Sequence, residues 1–128
     1  MIGLDTNVLV RYFAQDDAEQ SARATVLIES LTDAKPGYLS QVVLIELVWV
    51  LQRCYDASRE MTADTLERLL RTQELVVQDA EQVWQALRIY RQGGDFADCL
   101  IARVAMAAGC DEVVTFDKGA AKVGMRPL

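Results

Sequence analysis

Short apolar runs alternate with longer segments of helical spacing from one end of this chain to the other, and few folds tolerate that pattern. Residues 2–5 form an apolar run closed by an acid, and Val8, Leu9, Val10, Tyr12 and Phe13 then follow without a strand-like alternation, which reads as strand, turn, short helix. The spacing predicts a second helix over 16–31, opened by acids suited to a helix N-terminus and carrying Ala18, Ala22, Val26 and Leu27. Lys35, Pro36 and Gly37 break the chain before a short strand at Tyr38 and Leu39. Ser40 can cap a helix over 42–55 that is apolar on nearly every face, as a helix buried in a core should be. Thr62 is the expected cap of a helix over 63–71, and Leu75, Val76 and Val77 follow as a buried strand. Asp79 is the expected cap of a helix with Val83, Leu87 and Tyr90, ended by Gly93 and Gly94. Asp95 opens a further helix through Leu100, Ile101 and Val104 to a stop at Gly109, and 112–115 is the last strand. Strands that alternate with helices predict an α/β fold, with a parallel sheet flanked by helices on both faces.

A chain of 128 residues, 52% of them hydrophobic, has the length of one domain and enough apolar surface to close a core, so one domain over 1–128 is expected. Cys54, Cys99 and Cys110 are odd in number and form no C-x-x-C pair, which points to small apolar residues in a reducing compartment rather than to disulfides or a zinc ribbon. Asp5 arrives too early for a secretory signal, and the apolar stretch over 42–51 is broken by Glu46 and is about half of the ~20 residues a membrane span needs. A cytoplasmic protein without membrane association is the expectation.

The absence of histidine narrows the chemistry more than the net charge of −6 does. Histidine general acid/base catalysis, Ser-His-Asp triads and histidine-ligated zinc are excluded. Acidity by itself argues against a nucleic-acid substrate. That objection weakens if Asp5, Glu46, Asp95, Asp98 and Asp117 are gathered on cations, because the remainder is then close to neutral and bound ions reverse the local sign.

Four of those five acids stand at the junctions of elements, and the fifth, Glu46, lies within a helix. Glu46 is the only charge between Ser40 and Arg53 in an apolar helix, where a carboxylate is costly unless it is paired, bound to metal, or on an edge that reaches water. Asp95 and Asp98 lie three apart on one side of a helix's first turn. Asp95 as the cap and Asp98 as a charge favoured by the helix dipole account for both acids adequately; capping suits Asp95 better, and the apolar helix behind Asp98 makes that acid the better ligand. Asp5 can cap the helix that follows it, with Asn7 as competitor, and Asp117 can be a turn residue. Taken together, hard oxygen donors of this kind suit Mg²⁺ or Mn²⁺.

The segments Leu4-Asp5-Thr6-Asn7-Val8-Leu9, Glu46 in its apolar helix, Asp95-Phe96-Ala97-Asp98-Cys99-Leu100-Ile101-Ala102 and Thr115-Phe116-Asp117 resemble the motifs of PIN domains, and in order and spacing those of VapC-type toxins. The resemblance implies a metal-dependent endoribonuclease that leaves a 5′-phosphate. Asp5, Glu46, Asp98 and Asp117 would be catalytic and would hold Mg²⁺ or Mn²⁺, with Asp95 as a supporting acid. Thr6, Asn7 and Thr115 would orient those ligands or their waters. The chain departs from many relatives after Asp117, where Lys118, Gly119 and two alanines replace an aromatic residue.

Partners follow from the same resemblance: an RNA substrate, a VapB-like antitoxin that places a basic residue among the acids, and a second copy of the chain. Val26, Leu27, Leu31 and Trp49 are apolar residues in apparent excess of one small core. Ser40 and nearby arginines are the expected RNA contacts, but nothing in the sequence ranks the ten arginines. The alternatives are a catalytically inert PIN-like binding module and a receiver-like phosphoacceptor. The latter wants paired acids after the first strand, where Thr6 and Asn7 stand.

Overall fold

The computed structural model describes residues 1–128, which divide into two compact units, Met1–Gln78 and Asp79–Leu128. The first unit runs β1 (Ile2–Gly3), α1 (Thr6–Ala14), α2 (Ala18–Glu29), β2 (Gly37–Leu39), α3 (Gln41–Cys54), α4 (Arg59–Arg71) and β3 (Leu75–Val77). Its three strands form one parallel sheet in the order β1-β2-β3, with Gly37 opposite both Ile2 and Leu75. That crowding requires a glycine: a Cβ on Gly37 would come within 2.9 Å of side-chain carbons of Leu31 and Leu75. Leu9, Leu39, Leu44, Leu47 and Leu66 form the buried centre of the unit.

Two expectations about its helices are corrected. α3 is not buried all round. Leu44, Leu47, Val48 and Leu51 make a buried stripe, while Val42 (65% exposed), Glu46 and Trp49 (57% exposed) occupy the opposite face, so the outer apolar residues had masked the amphipathic period. Ser58, not Thr62, caps α4, its hydroxyl accepting from the Met61 N–H at 3.1 Å. Thr62 lies inside the helix, fully buried, and donates its hydroxyl hydrogen to the Ser58 carbonyl at 2.8 Å. Leu31, read as surplus to the core, is buried in it.

The second unit runs α5 (Ala80–Gln92), α6 (Phe96–Ala107), β4 (Val114–Thr115), a 3₁₀ segment (Lys118–Val123) and β5 (Arg126–Pro127). α5 packs on α6, with the buried rings of Tyr90 and Phe96 edge to face at 5.8 Å between centroids. Asp79 stands at the start of α5 in a left-handed conformation, φ 45°, and makes no capping bond, contrary to the expected role. Gly93 and Gly94 do end α5, both at positive φ, and a Cβ on Gly94 would meet Val123 at 2.7 Å. The strand expected over 112–115 is only Val114–Thr115, and it pairs in parallel with β5, which no sequence pattern announces. The parallel α/β class read from the sequence is thus present, as a three-stranded and a two-stranded piece.

Candidate metal-binding carboxylates

Asp5 follows β1, where the Leu4 N–H is still bonded to the Tyr38 carbonyl at 3.0 Å. At Asp5 the backbone remains extended (φ −82°, ψ 161°), which turns the side chain back over the first turn of α1, and one carboxylate oxygen accepts from the Thr6 N–H at 2.7 Å. Capping engages only that oxygen, and the second is open to another partner. Thr6 is buried, and its hydroxyl donates to Glu46 Oε1 at 3.2 Å across the packing of α1 on α3. One threonine therefore touches both acids, through its N–H and its hydroxyl. Glu46 is itself exposed on the outer face of α3, held only by that bond. Asn7 is exposed and makes no hydrogen bond to either acid.

In the second unit Asp95 is the N-cap of α6, accepting from the Asp98 N–H at 3.0 Å. Asp98 is half-buried one turn along. Burial holds its carboxyl above the ordinary carboxylate range, and the charges of Asp95 and then Asp117 push it in the same direction. Asp117 caps the 3₁₀ segment through Gly119 N–H at 2.8 Å, while its own N–H donates to the Thr115 hydroxyl at 3.0 Å, so Thr115 fixes the backbone of Asp117. The packing of α6 on that segment brings Asp98 under the influence of Asp117.

Each unit thus gathers its own share of the predicted acids: Asp5 and Glu46 around Thr6 in the first, Asp95, Asp98 and Asp117 in the second. Within neither unit do three such side chains stand close enough to hold an ion by themselves. The donor chemistry nonetheless fits a hard divalent cation. All five are carboxylates, and the charged neighbours acting on Asp98, Asp95 and Asp117, are acids rather than a lysine or arginine. Sequence reasoning missed the placement of Arg11 and Arg23, which the packing of α1 on α2 brings to one groove. Only helix packing carries that signal.

The sequence profile of the PIN domain family matches residues 2–125, a span that contains every acid described above. This chain belongs to the PIN domain family. The PIN domain described here is also 27% identical over 126 residues to a protein named VapC ribonuclease from Aquifex aeolicus (strain VF5), an overlap covering 98% of this chain and 93% of that protein. No helix of this PIN domain is long and apolar enough to cross a membrane.

Proposed function

We propose that this PIN domain is a Mg²⁺- or Mn²⁺-dependent endoribonuclease, the toxin of a toxin–antitoxin pair acting in the cytoplasm, and that both units belong to one domain. The observation that carries the reading is half-buried Asp98, on which the charges of Asp95 and Asp117 both act and no cationic side chain does, in a chain similar over nearly its full length to a VapC ribonuclease. Asp5, Glu46, Asp98 and Asp117 would hold the ion, with Asp95 in support. A bound divalent ion lowers the pKa of water and offsets charge on phosphate oxygens, which a protein without histidine needs near neutral pH.

The chain's own residues prepare the ligands. The Asp5 cap fixes one carboxylate oxygen and leaves the other to bind. Thr6 restricts the long side chain of Glu46, reducing the rotamer entropy lost on coordination. Thr115 sets the backbone of Asp117, and the Asp95 cap sets the first turn from which Asp98 projects. Likeness to the VapC ribonuclease also supports a VapB-like antitoxin and a homodimer as partners.

The test is cleavage of end-labelled RNA by the purified chain with Mg²⁺ or Mn²⁺ and with EDTA. Cleavage with either ion, stopped by the chelator and leaving 5′-phosphate ends, is the expected result. A chain that binds RNA but leaves it intact under all of these conditions is an inert binding module instead.

A further inference from the structure

We propose that the groove between α1 and α2 is a subsite for single-stranded RNA, in which Arg23 and Arg11 take backbone phosphates and Val8 and Leu27 face ribose or base. The groove is ≈ 420 Å³ in volume, and Asn7, Arg11, Gln20 and Arg23 give it a polar, cationic rim around those apolar residues. The two arginines differ in state. Arg11 is fixed in place by Gln20 Oε1 at 2.7 Å and by Asp16 at 3.3 Å, and Asp16 is itself tied to the Tyr55 hydroxyl at 2.6 Å. Arg23 is exposed and makes no hydrogen bond or ion pair, although acids outnumber bases by 19 to 13 in the chain. An unpaired guanidinium beside a preset one, at the rim of a groove in an acidic protein, is suited to an anionic polymer.

Position supplies the second argument. The groove begins at Asn7, two residues after Asp5 and on the helix that Asp5 caps, so a strand lying in it runs up to a proposed ligand of the reacting centre. A protein tail with a basic residue is a poorer occupant, because Arg11 and Arg23 would repel it. Single-stranded RNA needs charge for its phosphates and apolar surface for its unstacked bases, and the groove offers both. The proposal rests on the ribonuclease reading and names the arginines that the sequence alone does not rank.

The experiment measures binding of a labelled mixed-sequence RNA oligonucleotide, in EDTA and over a series of KCl concentrations, to the whole chain and to Arg23→Gln, Arg23→Lys and Arg71→Gln. Arg71 is the control, being paired with Glu67 on α4. Arg23→Gln is expected to weaken binding about tenfold and to flatten the slope of log affinity against log salt by about 0.7, the value for one phosphate contact on a single strand. Arg23→Lys should keep the slope, and Arg71→Gln should keep both slope and affinity. Unchanged affinity and slope in Arg23→Gln overturn the proposal, as do an equal loss in Arg71→Gln and a wild-type chain that does not bind RNA. Cleavage by the wild-type chain is scored separately. Cleavage with normal binding by Arg23→Gln removes the groove and leaves the nuclease, whereas Arg23-dependent binding without cleavage upholds the groove and removes the reaction.

Discussion

As a proposed ligand Asp98 would be under opposing demands: a ligand must be ionised, yet burial and two neighbouring acids hold its carboxyl toward the neutral form. Asp98→Asn keeps the shape and removes the charge, so cleavage should fall by more than about a hundredfold while the fold persists. Its effect on stability has a definite sign. Because the folded carboxyl titrates above its unfolded value, the contribution of Asp98 to wild-type stability is fully present below the ordinary carboxylate range and is lost as pH rises through the raised value. The Asp98→Asn variant lacks that loss. Thermal melts in EDTA should therefore coincide near about pH 3 and separate toward about pH 7, with the variant the more stable. A wild-type cleavage rate in the variant would reduce Asp98 to a helix-end charge. The sequence made the acids visible because carboxylates at element junctions stand out from apolar flanks. It did not show that the Thr6 hydroxyl meets Glu46 from 40 residues away, since that bond exists only once α1 packs on α3.

Elements were legible where periodicity was long and their ends where capping was unambiguous. Ser40 had no rival and caps α3 as expected, whereas Ser58 and Thr62 are both capping types, and burial chose between them. Thr62 lies on the buried stripe of Leu66 and Leu69, where its hydroxyl is bonded to the Ser58 carbonyl within the helix instead of capping an N-terminus. Ser58→Ala should accordingly cost about 1 kcal/mol in urea unfolding with an unchanged m-value. β5 was not legible because two residues, one of them Pro127, have no period to read. Gly94 tests the packing of the second unit. With φ at +94° and Val123 in the way of any Cβ, Gly94→Ala should lose about 2 kcal/mol or more. A loss under about 0.5 kcal/mol would mean that the turn after α5 readjusts freely.

For the molecule as a whole, cations and partners should show in stability and mass. If the acids of both units are ligands, Mn²⁺ at about a hundred times its Kd should stabilise the chain by about 2.7 kcal/mol, and Glu46→Gln should lose most of that gain. An undiminished rise in Glu46→Gln would leave Glu46 as an ordinary acid on the outer face of α3. That face also bears on assembly. Of the apolar excess only Leu31 went into the core, while Val26 and Trp49, and Val42 beside Trp49 on α3, remained outside it, large side chains that a monomer leaves in water at a cost. A homodimer that covers such residues should sediment at twice the mass of the chain, and Trp49→Glu is expected to return it to monomer if α3 lies in the contact. If the chain is a toxin, its antitoxin should be recovered from the native host as a small protein with a basic tail, because an arginine offers several donors to carboxylates and needs no cation to do so. Addition of that tail as a peptide should stop cleavage, and Asp98→Asn should weaken the peptide's binding. A strict monomer that cleaves RNA and recovers no such protein would keep the nuclease and refute the toxin assignment.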